Sequence, residues 1–415
     1  MSNIGLGLAF LTLIIWVFLL GWRGQFWRAD QRLKVQANEP EIWPRVYAII
    51  PARNEADLLP VTLRSLLTQD YPGNLTVILV DDHSTDGTAD VARSVGSDLG
   101  VSVVDAETPS EPNSSEKHPA RLHILLAQAL PPGWTGKLWA LEQGICYAQA
   151  QTPAPDYILL TDADIEHDPL NLRQLVAKAR HEDLDLVSLM VRLRCESFWE
   201  RFLIPAFVFF FQKLYPFPWV NNPANRMAAA AGGCSLIDRE ALTRIGGMQA
   251  VRSALIDDCA LAGAVKSTGK QDGKGRIWLG LADSTHSLRP YPTLDTIWNM
   301  VARTAFTQLN YSPWLLLGTI AAMSIIYLVP PIGVLWGTIA RNWLIAIASW
   351  LSWLLMAFAY LPTVRYYHRS PVWALSLPAI AFLYTLMTLD SALRHWQKRG
   401  GTWKGRVYSE TLGNG

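Results

Sequence analysis

Three apolar runs of the sequence are each followed at once by acidic residues. The runs and the segments after them are Val46–Ile50 with Pro51–Glu55, Leu75–Val80 with Asp81–Asp86, and Tyr157–Leu160 with Thr161–Asp164. Carboxylate oxygens are hard ligands that suit Mg²⁺ or Mn²⁺ held together with substrate phosphates. A lone Asp-x-Asp such as Asp162-Ala163-Asp164 also occurs as a solvated turn. Its place after a buried strand, in register with two other acidic strand ends, favours a metal site.

Further along the chain, two short segments carry residues that such a site could use. Gly136-Lys137 precedes the helical stretch Leu138–Ala150. A cation at a helix start is disfavoured by the helix dipole, so Lys137 is a candidate to bind a diphosphate. Asp257-Asp258 opens the helical pattern Ala260–Val265. Carboxylates at a helix start are often only caps, but as one of a set of acids Asp258 is a candidate general base. Gly232-Gly233 would allow close backbone packing beside a ligand, or form a plain turn.

Apolar runs of strand length alternate with helical patterns between residues 46 and 104. The helical patterns are Leu58–Leu67 and the stretch from Thr88, and a further strand is predicted at Val101–Val104. Continuously apolar strands alternating with helices indicate an α/β fold with a mostly parallel sheet covered on both faces. Such sheets bind ligands at the carboxyl ends of their strands, which is where the acids lie. The polar segment Glu107–His118 is predicted to be a loop.

Composition separates this chain from several classes of protein. Half of its 415 residues are hydrophobic, 17% are charged and the net charge is +1. The near-neutral charge gives no basic field for nucleic acid. The four cysteines form neither a disulfide framework nor a CxxC metal pair. The 18 tryptophans, many of them at the ends of apolar runs, are typical of membrane interfaces.

Apolar runs at both ends of the chain predict transmembrane helices. Ile4–Trp22 carries no charge and is long enough to span a bilayer, and the basic residues that follow it favour a cytoplasmic location for the next segment. The C-terminal runs are Trp314–Trp336, Trp343–Leu361 and Val372–Leu389. Three spans would put the tail outside, whereas its basic residues, Arg394, Lys398, Arg399, Lys404 and Arg406, favour inside. A re-entrant run, or a break at Pro330–Pro331, would resolve the conflict.

An aromatic stretch, Ser197–Tyr215, interrupts the soluble block. Its uncharged part, Phe202–Gln212, is short for a transmembrane helix. An interfacial helix lying in the headgroup plane fits its composition, and a buried core helix is the alternative. Tyr291–Gln308 has apolar residues at helical spacing and could be a second interfacial helix. Helices of this kind would hold the strand-end carboxylates near the membrane surface. This arrangement favours a membrane lipid over a soluble molecule as the substrate.

Taken in order, these motifs resemble glycosyltransferase family 2 from about Val46 to Leu309. The set is Pro51–Glu55, Val80–Asp86, Gly136-Lys137, Asp162-Ala163-Asp164, Gly232-Gly233 and Asp257-Asp258. The segments Gly136–Gly144 and Arg303–Leu309, with the flanking spans, are similar to the hopene-associated or hopanoid-biosynthesis subgroup. One departure is Met300–Thr304, which keeps only Arg303 of the Gln/Arg-x-x-Arg-Trp motif of processive members. A polysaccharide-type synthase is therefore a weaker alternative, as is an inactive membrane scaffold.

The resemblance implies a GT-A, Rossmann-like fold and an inverting, metal-dependent hexosyltransferase that uses a nucleotide sugar, with UDP as the expected nucleotide. It implies that Glu55 and Asp82 contact the nucleoside, that Asp164 holds Mg²⁺ or Mn²⁺ on the diphosphate, and that Asp258 is the base. The candidate residues are Pro51, Arg53, Glu55, Asp81, Asp82, Lys137, Asp162, Gly233 and Arg303 for the donor, Asp164 and Asp162 for the metal, and Asp258 and Asp257 for catalysis.

The predicted organisation has four parts. They are an N-terminal transmembrane helix at 1–22, a cytoplasmic GT-A domain at 37–310, C-terminal transmembrane helices at 311–390 and a basic cytoplasmic tail at 391–415. The expected location is the inner (plasma) membrane as a multi-pass protein, and the expected partners are a nucleotide-sugar donor, a membrane lipid acceptor and the bilayer, with no nucleic acid. A dinucleotide-binding oxidoreductase is disfavoured because the first strand is followed by Pro-Ala-Arg-Asn-Glu rather than a glycine-rich turn.

Overall fold

The computed structural model describes residues 2–33, 40–105, 122–269, 275–397, 402–403 and 406–407. The loop predicted at Glu107–His118, the domain boundary at Ala37 and the basic residues Lys398, Arg399 and Lys404 lie outside these ranges. The helices are α1 (Ser2–Trp22), α2 (Leu59–Leu67), α3 (Thr88–Asp98), α4 (Gly136–Ala150), α5 (Asn171–Glu182), α6 (Phe198–Leu214), α7 (Phe217–Val220), α8 (Arg239–Arg244), α9 (Asp257–Ser267), α10 (Leu294–Ala302), α11 (Pro313–Met323), α12 (Val329–Ile339), α13 (Trp343–Tyr366) and α14 (Leu377–Trp396).

The strands, also in chain order, are β1 (Val46–Ala52), β2 (Leu75–Asp81), β3 (Val103–Asp105), β4 (Leu122–Leu126), β5 (Tyr157–Thr161), β6 (Ile165–Glu166), β7 (Leu186–Arg192), β8 (Cys234–Asp238), β9 (Ile277–Ser287), β10 (Thr402–Trp403) and β11 (Arg406–Val407). The chain forms two compact units. The sheet unit contains residues 31–193, 220–289 and 402–415, and the helical unit contains residues 1–30, 194–219 and 290–401.

A nine-stranded sheet organises the sheet unit, in the order β3-β4-β2-β1-β5-β8-β7-β9-β6. The half from β3 to β5 is parallel, as the alternation of strands and helices predicts. β8 runs antiparallel to both β5 and β7, and β6 is antiparallel to β9. β7 and β9 pair in parallel. The fold is therefore the predicted GT-A fold with a mostly parallel sheet, and its mixed half was not predicted.

Burial explains why the central strands are continuously apolar. Every residue of β1, β2 and β5 is buried, because helices cover the sheet on both sides. α4 packs closely on this sheet at Gly144, where an added Cβ would lie 2.5 Å from Ile49 Cγ2 and 3.1 Å from Val80 Cγ2. A side chain at this position would push the helix away from β1 and β2, so the helix that carries Lys137 near its start depends on this glycine.

Apolar helices dominate the helical unit. Five helical stretches are long and apolar enough to cross a membrane, judged by length and composition, within the residues that the structure describes: Asn3–Trp22, Phe198–Val220, Pro313–Ile339, Trp343–Tyr366 and Pro371–Trp396. Four of them match the predicted runs. Pro330–Pro331 lies within the third stretch, directly after a π-helical turn at Ser324–Leu328.

The aromatic helix α6 lies in the second stretch, Phe198–Val220, and it packs against other helices of its own unit. Ser197 and Glu200 form a capping box at its start, and residues such as Leu203, Val208 and Phe209 are buried. The Phe210 ring meets the edges of the Tyr327 and Tyr384 rings, with centroids 5.7 and 5.1 Å apart. Much of α6 is therefore core within this unit, and Phe198, 61% exposed, marks its open face.

Candidate active site

Three neighbouring strands bring their carboxyl ends to one edge of the sheet. β2, β1 and β5 lie side by side, with Ala52 level with Asp81 and Ile49 level with Leu160. The residues after β1 and β5 therefore lie at nearly the same height as the end of β2. This geometry is what the sequence predicted from the three acidic strand ends.

The first two strand ends form a set of tightly held acids. Arg53 Nη1 donates to the Asp82 carbonyl oxygen at 2.5 Å and lies 3.6 Å from Asp82 Oδ2. Asp81 Oδ1 accepts the Ser84 amide at 3.0 Å. Asp81, Asp82 and Glu55 are all buried. Burial is expensive for a carboxylate unless it has hydrogen-bond or charge partners, so these acids are fixed in place rather than solvated.

Asp86, the last acid of the second motif, stabilises the backbone around the start of α3. Its carboxylate accepts hydrogen bonds from the Ala56 and Thr88 amides at 3.0 and 3.1 Å and thereby caps the start of α3. The positive φ of Gly87, 84°, permits the tight turn that precedes this helix. Asp86 therefore shapes the motif around Asp81 and Asp82.

Lys137 connects the two other acidic segments. Its Nζ atom lies 2.8 Å from Asp162 Oδ1 and 3.6 Å from Asp257 Oδ2. α4 supplies the lysine, the turn after β5 supplies Asp162, and the start of α9 supplies Asp257. Although burial by itself would lower the pKa of Lys137, the charges of Asp162 and Asp257 raise it, so the side chain is an ammonium cation.

Asp258, the predicted base, is held by backbone amides. Its Oδ2 atom accepts the Gly232 amide at 2.9 Å, and its Oδ1 atom accepts the Cys259 amide at 2.7 Å. Burial, followed by the charge of Asp257, raises the pKa of Asp258 to about 7. A carboxylate with that pKa is suited to take a proton near neutral pH.

These groups line one open pocket of about 380 Å³ in the sheet unit. Its polar lining includes Lys137, Asp162, Asp257 and Asp258, and Gly232 lies among them. An added Cβ at Gly232 would lie 3.5 Å from Lys137 Nζ and 3.6 Å from Asp258 Oδ2. Both are ordinary van der Waals distances, so a methyl group would fit here, directly beside the cation and the base.

Gly233, a predicted donor residue, packs against β6 and β7, and His286 lies on β9. The Gly233 carbonyl accepts the Thr161 hydroxyl at 2.8 Å, and its missing Cβ would lie 3.0 Å from Val191 Cγ2. His286 is level with Glu166 in the pairing of β9 with β6, and burial followed by the charge of Arg192 lowers its pKa. The donor role of Gly233 stays a prediction.

Two other predicted donor residues occupy different surroundings. Pro51 lies inside the buried strand β1. Arg303, at the end of α10, belongs to the helical unit and is exposed. Its phosphate role stays a prediction.

One charged residue of the site was missed. Arg289 follows β9 and forms ion pairs with Asp164 and Glu55, with Nε 2.9 Å from Asp164 Oδ2 and Nη2 2.7 Å from Glu55 Oε1. The same rule that found the other acids, polar residues directly after a buried strand, points to this position. It was overlooked because the long strand β9 was not predicted.

The donor set fits a divalent cation in its chemistry. Asp162 and Asp164 offer hard carboxylate oxygens, as Mg²⁺ and Mn²⁺ prefer. Within the described parts of the chain, no group of three His, Cys, Asp or Glu side chains is arranged to hold a metal ion. An ion here would take these two carboxylates and complete its coordination with phosphate oxygens and water, which is usual for Mg²⁺.

The fold is that of a glycosyltransferase that uses a nucleotide-sugar donor. Residues 44–271, more than half of the chain, match the family model described as glycosyltransferase like family 2. The chain belongs to this family.

A curated relative is similar to part of the chain, and two solved structures are similar to larger shares of it. A 4,4'-diaponeurosporenoate glycosyltransferase from Staphylococcus haemolyticus (strain JCSC1435) is 30% identical over 128 residues, which are 31% of this chain and 26% of that protein. The chain therefore matches about a quarter of this relative's length.

A mannosyltransferase from Pyrobaculum calidifontis in complex with GDP-Man and Mn²⁺ has a TM-score of 0.52 at 19% sequence identity, and the match covers 94% of this chain and 99% of that chain. Glucosyl-3-phosphoglycerate synthase from Mycobacterium tuberculosis, with Mn²⁺, UDP and glucosyl-3-phosphoglycerate, has a TM-score of 0.39 at 17% identity, over 67% of this chain and 88% of its own.

Proposed function

We propose that this glycosyltransferase transfers one sugar residue from a UDP-sugar to a hydroxyl group of a membrane lipid, with inversion at the anomeric carbon. The observation that carries the proposal is Asp258, a carboxylate held by two backbone amides in the same pocket as Lys137. With a pKa of about 7, it can take the proton of an attacking hydroxyl. A single displacement assisted by such a base inverts the anomeric configuration.

Lys137 supports this reaction electrostatically. Its ammonium group lies between Asp162 and Asp257, at the edge where the leaving diphosphate is expected. A fixed cation there stabilises the negative charge that develops on the leaving group. Asp164 and Asp162 would hold Mg²⁺ or Mn²⁺, and the bound ion would contribute further positive charge at the diphosphate. The Mn²⁺ in the complex of the Pyrobaculum calidifontis mannosyltransferase supports this part of the proposal.

Two observations support a lipid acceptor. The described chain has five helices long and apolar enough to cross a membrane, which would keep the enzyme beside lipid substrates. The name of the Staphylococcus haemolyticus relative gives 4,4'-diaponeurosporenoate as its substrate. The similarity of Gly136–Gly144 and Arg303–Leu309 to the hopanoid-biosynthesis subgroup makes a hopanoid the first acceptor to test. The basic residues after α1 support a cytoplasmic catalytic domain in the inner membrane.

Product analysis tests the proposal directly. Purified protein in detergent is incubated with a membrane lipid extract, a hopanoid fraction and a panel of nucleotide sugars, and products are identified by mass spectrometry. We expect one lipid to gain a single sugar with inverted configuration, and Asp258→Asn to form that product at least about 100-fold more slowly. A polymeric product would instead support a polysaccharide synthase. No transfer with any donor, by a protein that is folded, would support an inactive scaffold.

A further inference from the structure

Strand pairing places Arg289 beside the Asp162-Ala163-Asp164 turn. β9 is antiparallel to β6, with Ser287 level with Ile165. The Leu288 amide donates to the Asp164 carbonyl oxygen at 2.8 Å. The backbone at Arg289 is therefore anchored next to the turn that carries the predicted metal ligand.

The guanidinium group bonds two of the predicted donor-site carboxylates at once. Nε donates to Asp164 Oδ2 at 2.9 Å, and Nη2 donates to Glu55 Oε1 and Oε2 at 2.7 and 2.8 Å. The side chains of Glu55 and Asp164 are only 8% and 11% exposed. Charge-assisted hydrogen bonds of this kind are strong, so Arg289 largely neutralises acids that burial would otherwise destabilise.

This arrangement conflicts with metal binding at the same carboxylate. A divalent ion on Asp164 would have to share it with the guanidinium, and two cations on one carboxylate repel each other. A nucleoside diphosphate changes this balance because its phosphates offer Arg289 new anionic partners. Arginine suits phosphate recognition through its planar set of donors.

We propose that Arg289 is a donor-site residue that holds Asp164 and Glu55 while no donor is bound, and that its guanidinium moves from Asp164 to the phosphates when the nucleotide and the metal bind. The inference rests on the proposed function in one respect, namely that the donor is a nucleoside diphosphate sugar with a metal at Asp164. It has a direct consequence. The wild-type protein binds Mn²⁺ weakly without nucleotide, and removal of the guanidinium strengthens that binding.

Mn²⁺ binding to the purified full-length protein tests this consequence without measuring turnover. Free Mn²⁺ is measured by electron paramagnetic resonance for the wild type and for Arg289→Gln, first without nucleotide and then with UDP. Without UDP, we expect Arg289→Gln to bind Mn²⁺ on the order of tenfold more tightly, since neighbours of a metal ligand commonly change affinity by that factor. With Mn²⁺ present, calorimetry should show that Arg289→Gln binds UDP about tenfold more weakly, the effect expected when a hydrogen bond to a charged group is lost.

Matched variants separate this role from a purely structural one. Arg32→Gln removes an ion pair of the same sheet unit, in which Arg32 Nη1 lies 2.7 Å from Asp283 Oδ1 on β9, and it should change neither affinity. Adding Asp164→Asn to Arg289→Gln should abolish the gain in Mn²⁺ binding. If Arg289→Gln does not fold, Arg289→Met is measured instead. It removes the charge and keeps a long side chain, and Mn²⁺ affinity should still exceed that of the wild type.

The outcomes separate this inference from the proposed function. Unchanged Mn²⁺ affinity in the folded Arg289 variants, with Mn²⁺ binding normally to the wild type once UDP is present, would overturn the role of Arg289 alone. Arg289 would then have only a structural role, as the ion-pair partner of Asp164 in the turn and of Glu55 after β1. If Mn²⁺ binds none of the proteins even with UDP, the metal site of the proposed function fails, and the inference fails with it.

Discussion

The acids around Lys137 differ in what holds them, and that difference separates their roles. Asp257 and Asp162 face the ammonium group, whereas Asp258 is bonded by the Gly232 and Cys259 amides. Burial, followed by the charge of Asp257, raises the pKa of Asp258 to about 7, which suits a general base near neutral pH.

Replacing Asp258 by Asn should remove the base while keeping the size of the side chain. We expect turnover to fall by about 10² to 10⁴, the usual contribution of general base catalysis, with donor affinity nearly unchanged. Asp257→Asn is the matched control and should fall less. Steady-state kinetics and UDP binding measure both effects. If Asp257→Asn is the slower variant, the base is assigned to the wrong residue.

The pH dependence of kcat/KM should report the pKa of Asp258. Since the base must be ionised, activity should fall as the pH drops below about 7. The charge of Asp257 raises that pKa and the charge of Lys137 lowers it. The acid limb should therefore move to lower pH in Asp257→Asn and to higher pH in Lys137→Gln. Profiles normalised to each variant's maximum measure these shifts, and shifts in the same direction would contradict the assignment.

Donor turnover should depend on a divalent ion held by Asp164. Excess EDTA should abolish transfer, and Mn²⁺ or Mg²⁺ should restore it, because Mg²⁺-type sites combine carboxylates with phosphate oxygens. Asp164→Ala should lose most activity and Asp162→Ala somewhat less, since Asp162 is also paired with Lys137. Full activity of the wild type in excess chelator would end the metal assignment.

Among the secondary-structure elements, α4 and α9 do most to build the site, since one carries Lys137 and the other carries Asp257 and Asp258. α4 lies against β1 and β2 at Gly144, where no side chain fits without displacing Ile49. α9 begins with two acids, which the positive end of its helix dipole favours. The same carboxylates thus help to start the helix and serve the pocket.

Gly144→Ala should destabilise the protein and Gly263→Ala should not. The first places a Cβ 2.5 Å from Ile49 Cγ2, and overpacking of this kind costs about 1 to 3 kcal/mol. The second lies in α9 with nothing within 4 Å of its added Cβ, so the better helix propensity of alanine should help by up to about 1 kcal/mol. Thermal melts in detergent compare the pair. Equal melting temperatures would mean that α4 has room to move away from the sheet.

The whole molecule combines, in one chain, the sheet of a glycosyltransferase and a set of apolar helices. The sheet unit and the helical unit are each assembled from separate stretches of the chain. The helical unit draws its residues from both ends and from α6, so neither unit is a continuous segment that could be cut out. Within the residues that the structure describes, the five helical stretches long and apolar enough to cross a membrane are spread from one end of the chain to the other.

The side of the membrane on which the sheet unit lies can be tested with the four cysteines of the chain, of which Cys195 belongs to the helical unit and the others to the sheet unit. Cys146 is exposed, Cys195 and Cys234 are buried, and Cys259 is half-buried. If the sheet unit is cytoplasmic, an impermeant maleimide should not label intact cells and should label them after permeabilisation. The Cys146→Ser variant should lose most of the second signal. Labelling of Cys146 in intact cells would place the sheet unit outside.

Much of the site could be predicted from the sequence, because it depends on local patterns. Buried parallel strands are continuously apolar, and the polar residues that follow them must lie at one edge of the sheet. That reasoning located Glu55, Asp82, Asp162 and Asp164 without a structure. The apolar runs at both ends also determined the candidate spans, since length and hydropathy suffice for that prediction.

Other features depended on the tertiary structure, because they arise between segments that are distant in the chain. The antiparallel pairing of β8 with β5 is not visible in either strand alone, and it decides that the Gly232 amide reaches Asp258. The pairing of β9 with β6 likewise decides that Arg289 reaches Asp164 and Glu55. Residue types along the chain indicate which chemistry is available, whereas strand register determines which charges meet.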